Sequence, residues 1–235
     1  TMAKNNNAYG VSTKIIHGAS KHTEIGEHVF PLFQTSTFVY KDVAQGAKLF
    51  SGEEKGYKYT RFANPNVDLL AKQIALLEEG EVGEIYSSGM AAIGTVLGGL
   101  LKAGDHMIID PVVYGCTDSL VRNILSRFNI KASFVDTANI EEVKSSLKEN
   151  TKVVFLETPA NPTLKIVDIK KVAEVVKKYN PDIKIVADNT FATPIYLQPL
   201  KLGADVVVHS CTKYINGHGD VVAGAAVFGK DLEKQ

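Results

Sequence analysis

The sequence predicts an α/β fold with a mainly parallel sheet of seven strands, one of them antiparallel. Short apolar runs rich in valine and isoleucine recur along the chain from about residue 84, and helical periodicity separates most of them. The runs are continuous rather than alternately apolar and polar, which is typical of strands buried on both faces. Strands that alternate with helices form mainly parallel sheets, because each crossover returns the chain to the same edge.

The predicted strands are, in chain order, 84–88, 106–110, 131–136, 152–157, 183–188, 204–209 and 221–228. Little helix separates the last two runs, so we expect the last strand to pair antiparallel. One helix is predicted where Ile169, Val172, Ala173 and Val176 share a face at i, i+3, i+4 and i+7. Shorter stripes predict two further helices, one with Ile140, Val143 and Leu147 and one with Leu70, Ile74 and Leu77.

Residues 1–60 are predicted to form an extended N-terminal arm, and residues 61–235 a large domain. The arm shows little periodicity but is rich in aromatic residues, as in FPLFQTSTF. So long a segment without regular structure is either disordered or packed against something. Its aromatic content favours packing, for example against another subunit.

The composition excludes several classes of function. Apolar residues make up 45% of the chain and charged residues 22%, as in ordinary globular proteins. Lysine plus arginine, at 26, equals aspartate plus glutamate, at 26, which argues against nucleic acid or an anionic membrane as a partner. No apolar run suits a membrane span or a signal peptide. With only Cys116 and Cys211, no disulfide framework is expected, which indicates a reducing, cytoplasmic setting.

Candidate binding residues follow the predicted strands, where ligands of open α/β sheets bind. The turn Ser88-Gly89-Met90 opens a helix, and the free amides of a helix N-terminus suit a phosphate. The turn lacks the GxGxxG spacing, which disfavours a nicotinamide-dependent oxidoreductase. Tyr114, after the second strand, offers an aromatic face or a proton. A tight turn and a packed tyrosine are the plain structural alternatives.

Three later strand ends add further chemistry. Asn161 stands between two prolines and offers an amide. Asp188 ends an apolar strand, where an unpaired carboxylate is costly and requires a cationic or N–H partner. Ser210, Thr212 and Lys213 offer two hydroxyls and an amine. Each of these also has a structural alternative, such as a turn or a helix cap.

Together these groups match the needs of pyridoxal phosphate. Its phosphate needs N–H and hydroxyl donors, its ring a stacking face, its pyridine nitrogen a carboxylate, and its aldehyde a lysine. The alternative is a non-catalytic α/β protein that binds a phosphate ligand or itself, with Lys213 idle. No metal is expected, because His218 and Asp220 are too few ligands.

Five ordered motifs resemble the Cys/Met-metabolism family of pyridoxal phosphate enzymes, which includes cystathionine γ-synthase. They are SSGMAAI, DPVVYGCT, ETPANPT, VADNTF and HSCTKYINGHGDVVAG, and the resemblance runs from about residue 15 to the end. It implies the type I, aspartate-aminotransferase-like fold. Members of the family continue into a small C-terminal domain that holds the substrate carboxylate. We expect that domain to be absent from this chain and turnover to be impaired.

The resemblance implies a role for each candidate residue. Lys213 would be the Schiff-base lysine, Asp188 the partner of the pyridine nitrogen, and Asn161 a neighbour of the ring hydroxyl. Tyr114 would stack on the ring and assist departure of a thiol, provided that nearby cations lower its pKa. The remaining cofactor contacts would come from Ser88, Gly89, Met90, Ser210 and Thr212, and from Tyr59 and Arg61 of a neighbouring subunit.

The resemblance also implies a homodimer that completes the site, and a homotetramer. Cys116 would line the substrate pocket, because a cysteine there and the motif NGHGD are similar to the methionine γ-lyase branch of the family. That branch implies α,γ-elimination of L-methionine to methanethiol, 2-oxobutanoate and ammonia. Cystathionine γ-synthase, cystathionine γ-lyase and O-acetylhomoserine sulfhydrylase activities stay open at this point.

Overall fold

The computed structural model describes residues 9–229 and 232, which fall into two compact units. The N-terminal unit ends at Gln73, and the second unit begins at Ile74. The first eight residues of the predicted arm, and residues 230, 231 and 233–235 of the predicted large domain, lie outside the described residues. The predicted division of the chain after residue 60 stays a prediction.

The N-terminal unit contains helices that the sequence pattern did not predict. They are α1 (Val11–His17) and α2 (Val43–Ser51). The first part of α3 (Pro65–Glu78), the helix predicted from Leu70, Ile74 and Leu77, also belongs to this unit. Asp42 caps α2 by accepting a hydrogen bond from the Gln45 amide at 2.7 Å. Helix α1 buries none of its residues. Helix α1 has only seven residues, which is too short a segment for helical periodicity to be recognised.

The second unit contains one seven-stranded sheet, with the order β1-β7-β6-β5-β4-β2-β3. The strands are β1 (Val82–Tyr86), β2 (His106–Ile109), β3 (Lys131–Phe134), β4 (Thr151–Glu157), β5 (Lys184–Asp188), β6 (Val206–Ser210) and β7 (Gly224–Phe228). Strand β7 is antiparallel to β1 and β6, and the other pairs are parallel. The predicted sheet is confirmed, although β7 begins three residues later than expected.

Helices cover both faces of this sheet. They are α4 (Gly89–Leu100), α5 (Gly115–Ser119), α6 (Ile140–Ser146), α7 (Ile169–Tyr179) and α8 (Thr193–Tyr196). In β4, Val153 and Phe155 face α4, whereas Val154 and Leu156 face α6 and α7. Side chains of a strand alternate between faces, so a strand covered on both sides is apolar throughout. None of the described helices is long and apolar enough to cross a membrane.

The parallel strands place their carboxyl ends along one edge of the sheet. There Glu157 of β4 pairs with Asp188 of β5 in the strand register. Because β7 runs in the opposite direction, its first residue, Gly224, lies at the same edge and pairs with both Tyr86 and Ser210. The fold therefore gathers the segments that follow β1, β4, β5 and β6.

Candidate functional site

An open cleft of about 880 Å³ lies at this edge of the second unit. Most of the predicted site residues line it: Ser88, Gly89, Met90, Tyr114, Asn161, Asp188, Ser210, Thr212 and Lys213. Cys116 is exposed and is not among the lining residues. Residues distant in the sequence thus meet in one place, as the strand-end argument predicted.

One end of the cleft is built by two close backbone approaches. Ser88 caps α4, and its hydroxyl accepts a hydrogen bond from the Ala91 amide at 3.0 Å. A Cβ atom on Gly89 would lie 2.7 Å from the Cβ of Ser210, and one on Gly224 would lie 2.1 Å from the Ser88 carbonyl oxygen. Only glycine permits these approaches. They bring the first amides of α4, which have no partner within the helix, beside the end of β6.

The segment after β6 carries the hydroxyls and the amine. The Ser210 amide donates to the Thr190 hydroxyl at 2.8 Å. The Thr212 hydroxyl makes two hydrogen bonds with Ala223. It donates to the Ala223 carbonyl at 3.2 Å and accepts from the Ala223 amide at 3.0 Å. Lys213 is exposed at the cleft. Ser210 therefore has a freer hydroxyl than Thr212 in this arrangement.

Asp188 is a buried carboxyl, 6% exposed, whose Oδ1 accepts the Thr190 amide at 3.0 Å. Burial raises the pKa of Asp188, whereas the hydrogen bonds from Thr190 and the charge of His209 act to lower it. In the described part of the chain no lysine or arginine acts on this carboxyl. A cation bound in the cleft would favour its ionised form.

Glu157 is a site residue that the sequence interpretation did not select. Its Oε2 accepts the Tyr114 amide at 2.7 Å, and its Oε1 accepts the Asn161 amide at 3.0 Å. Burial and the charge of Asp188 raise the pKa of Glu157 to about 7, although both amides oppose this shift. Glu157 thus holds the loops that carry Tyr114 and Asn161. A carboxylate at the end of an apolar strand was the signal available, as it was for Asp188.

Tyr114 is 44% exposed at the cleft. The Cys116 side chain raises the pKa of Tyr114 through a hydrogen bond and its charge, and burial adds a smaller contribution. The lowered pKa expected for catalysis is therefore not found within the described chain. Phe191 and Tyr214 add an edge-to-face aromatic pair, with ring centroids 5.7 Å apart, to the lining of the cleft. Nothing in the sequence pattern distinguished that pair.

Tyr59 and Arg61, the predicted contacts to a neighbouring subunit, belong to the N-terminal unit. Both are exposed, and the Arg61 guanidinium lies 5.2 Å from the centre of the Tyr59 ring. Thr37 and Tyr59 form an isolated antiparallel bridge, which anchors the segment within its unit. An exposed arginine held beside an aromatic ring remains available to an anion.

His218 and Asp220 make hydrogen bonds within their own loop, both with Asn216. The His218 Nδ1 lies 2.7 Å from the Asn216 carbonyl oxygen, and the Asn216 amide group donates to Asp220 at 2.8 Å. Among residues 9–229 and 232, no group of three histidine, cysteine, aspartate or glutamate residues is arranged to hold a metal ion.

Residues 12–235 match the family model described as Cys/Met metabolism PLP-dependent enzyme. The L-methionine γ-lyase of Fusobacterium nucleatum subsp. polymorphum is 51% identical over 227 residues, which cover 97% of this chain and 57% of that relative. The chain therefore spans little more than half the length of the curated relative it matches.

Solved structures resemble the fold closely. The structure of metB from Corynebacterium glutamicum has a TM-score of 0.90 at 39% identity, and the match covers 97% of this chain and 57% of that one. The structure of metY from Campylobacter jejuni subsp. jejuni, described as an O-acetylhomoserine (thiol)-lyase, has a TM-score of 0.88 at 35% identity. The match covers 94% of this chain and 54% of that one. That structure contains N′-pyridoxyl-lysine-5′-monophosphate.

Proposed function

The chain belongs to the Cys/Met metabolism family of pyridoxal phosphate-dependent enzymes, and from this premise we propose that it performs the α,γ-elimination of L-methionine. Methionine and one water would give methanethiol, 2-oxobutanoate and ammonia. The observation that carries the proposal is the meeting of Lys213, Asp188 and Tyr114 with the first turn of α4 in one cleft. Similarity to an L-methionine γ-lyase supports methionine as the substrate.

The residues of the cleft fit pyridoxal phosphate. Asp188 is buried at the cleft, and within the described residues no lysine or arginine compensates its charge, so a protonated ring nitrogen would supply the missing cation. The first amides of α4 and the hydroxyl of Ser210 lie together because position 89 has no Cβ, and they would hold the phosphate. Thr212 would join them only by releasing the Ala223 carbonyl.

When bound, the cofactor would supply a ring that withdraws electrons from the carbon that loses its proton. Lys213 is the amine that would hold the aldehyde. Once released and neutral, it would accept the proton from the α-carbon of the amino acid. Asp188 would keep the ring nitrogen protonated, because a neighbouring negative charge favours the charged form of a base. Asn161 would orient the ring hydroxyl.

Tyr114 would act as an acid. Its raised pKa keeps the phenol protonated at neutral pH, so it has a proton to give to the sulfur that leaves the γ-carbon. Glu157 would keep its backbone in place through the 2.7 Å bond to the Tyr114 amide. The Cys116 side chain contacts the Tyr114 hydroxyl, which supports its proposed place beside the substrate.

Absorbance with added pyridoxal phosphate tests the role of Lys213. The unsubstituted protein should develop a yellow band that borohydride removes, and Lys213→Ala should lose it. Lys170→Ala is the matched control, because Lys170 is exposed on α7 away from the cleft. A borohydride-sensitive band that persists in Lys213→Ala would contradict the assignment.

The substrate is tested by assaying 2-oxobutanoate and volatile thiol. We expect both products from methionine, at a rate above those from cystathionine and from O-acetylhomoserine with sulfide. The second candidate is replacement at O-acetylhomoserine, which the likeness to metY of Campylobacter jejuni supports. A higher rate with O-acetylhomoserine plus sulfide would select that reaction instead.

A homodimer is part of the proposal. Tyr59 and Arg61 of one subunit would complete the phosphate site of the other. In support, the N-terminal unit exposes large apolar side chains, among them Ile25, Leu32 and Val39. Covering such side chains with a second subunit would remove apolar surface from water. The homotetramer and the cytoplasmic location stay predictions.

A further inference from the structure

A cluster of three buried polar side chains lies behind the cleft. It consists of Glu78 at the end of α3, Asn189 directly after β5, and His209 in β6. All three have no exposed surface or almost none, and none of them lines the cleft. The Glu78 Oε1 accepts hydrogen bonds from the His209 Nε2 at 2.6 Å and from the Asn189 amide group at 2.8 Å.

The cluster is joined to both main cofactor-binding segments. Asn189 follows Asp188, and its amide also donates to the Leu197 carbonyl at 2.9 Å. His209 directly precedes Ser210 and shares a face of β6 with Val207, which packs against Ile74 and Ala75 of α3. The imidazole therefore turns towards α3. One carboxylate thus holds the segments that bear Asp188 and Lys213.

The charges of the neighbouring carboxyls determine whether a neutral or a protonated His209 is more stable in this cluster. Glu78 and Asp188 are two carboxyls in a buried region, and His209 is the group of opposite charge that acts on Asp188 in the described chain. A neutral imidazole would leave each ionised carboxyl uncompensated, which is costly away from water. The 2.6 Å separation between the Glu78 Oε1 and the His209 Nε2 lies at the short end of the range of charge-assisted hydrogen bonds.

We propose that Glu78 holds His209 protonated, and that the imidazolium in turn keeps Asp188 ionised for the pyridine nitrogen. Glu78 and His209 are positioning residues in this proposal, because they act through Asp188 and do not touch the cleft. Burial raises the pKa of Asp188, and the charge of His209 lowers it. This supports the idea that a protonated His209 favours the ionised form of Asp188. The inference rests on the proposed function, because it concerns the carboxyl that would meet the cofactor.

The test compares Glu78→Gln with the unsubstituted protein, using pyridoxal phosphate labelled with 15N in its ring. Glutamine keeps the size of the side chain but cannot stabilise an imidazolium. We expect the ring nitrogen to be protonated in the unsubstituted protein and to shift towards the unprotonated signal in Glu78→Gln. We also expect at least a tenfold loss of cofactor affinity, the factor that corresponds to about one pKa unit at Asp188. Glu174→Gln, exposed on α7, is the matched control and should change neither quantity.

A cofactor analogue with carbon in place of the ring nitrogen separates charge from simple packing. It has no ring nitrogen whose protonated form Asp188 could stabilise, so its affinity should not fall in Glu78→Gln. If the variant loses equal affinity for the analogue and for pyridoxal phosphate, Glu78 is a structural tie and the proposal is overturned. An unchanged ring-nitrogen signal in Glu78→Gln overturns it as well.

A second measurement does not depend on the folding of a variant. A neutron diffraction map of the unsubstituted protein at neutral pH should show hydrogen on both ring nitrogens of His209. A singly protonated ring would overturn the inference while leaving the role of Lys213 intact. Conversely, a protein that forms no Lys213-dependent yellow complex would refute the proposed function, whatever the protonation state of His209.

Discussion

The two units of the chain differ in how their apolar side chains are covered. In the second unit, Phe155, Val186 and Val207 are completely buried between the sheet and its helices. In the N-terminal unit, Val39 is 100% exposed, and Ile25 and Leu32 are nearly so. The second unit therefore has its own core, whereas the N-terminal unit leaves several large apolar side chains exposed. The cleft that would bind the cofactor lies in the well-packed second unit. In our proposal, subunit assembly depends on the exposed apolar side chains of the N-terminal unit.

The largest effect we expect is recovery of activity from two inactive variants. Lys213→Ala lacks the proposed cofactor amine, and Arg61→Ala lacks the proposed phosphate contact to the neighbouring subunit. If the sites are shared, a mixed dimer keeps one intact site, so the mixture should reach about a quarter of the unsubstituted activity. Each variant alone is the control. Mixed dimers that form, as judged by native mass spectrometry, but remain inactive would contradict the shared site.

Matched phenylalanine substitutions compare the two units directly. Phe155→Ala removes a side chain with no exposed surface and should cost about 3–5 kcal/mol of unfolding free energy. Phe62→Ala removes a ring that is 62% exposed and should cost less than about 1 kcal/mol. Chemical denaturation measures both. Equal losses would show that the N-terminal unit buries its apolar residues as deeply as the second unit.

Two glycines of α4 distinguish the proposed phosphate-binding end of the cleft, where α4 begins, from the rest of the helix. A Cβ on Gly89 meets Ser210, so Gly89→Ala should cost about 1–3 kcal/mol and weaken cofactor binding. A Cβ on Gly94 meets nothing within 4 Å, so Gly94→Ala should stabilise the protein by about 0.5–1 kcal/mol. Thermal unfolding and cofactor titration measure these effects. A neutral Gly89→Ala would refute the close approach.

The last expected effect is a pH dependence of stability due to Glu157, whose pKa is raised from 4.5 to about 7. Between these values the folded protein binds more protons than the unfolded chain, so its stability falls as pH rises. The stabilisation is complete below about pH 4.5 and is lost as pH passes through about 7. Glu157→Gln should remove this slope, which amounts to about 3 kcal/mol across the range. An identical slope in both proteins, measured by denaturation across this range, would assign it elsewhere.

Much of the fold followed from local patterns. The central strands β4, β5 and β6 were predictable because they are covered on both faces and are apolar along most of their length. The edge strands β1 and β3 are only partly covered, and their short runs stood out mainly by their place between helical segments. The cleft residues were predictable for a related reason, since polar groups at the ends of such strands stand out against apolar neighbours. Helices α1 and α2 were not predictable in this way, because they bury few residues or none.

Glu157 illustrates what local sequence patterns cannot predict. Its position at a strand end was visible, but its bonds to Tyr114 and Asn161 join three separate segments. Thr212 shows the same limit, since its bonds with Ala223 depend on how the chain returns from the loop to β7. Such partners depend on distances through space, which no spacing along the chain records.

The sequence alone determined the sheet, the edge at which its ligand groups gather, and the family, because these depend on residue order and local polarity. Only the tertiary structure decided which polar groups share a buried space. Glu78 and His209 are 131 residues apart in the chain and 2.6 Å apart in the structure. Their side chains are buried and joined by a hydrogen bond, and both the burial and the closeness exist only once the chain has folded.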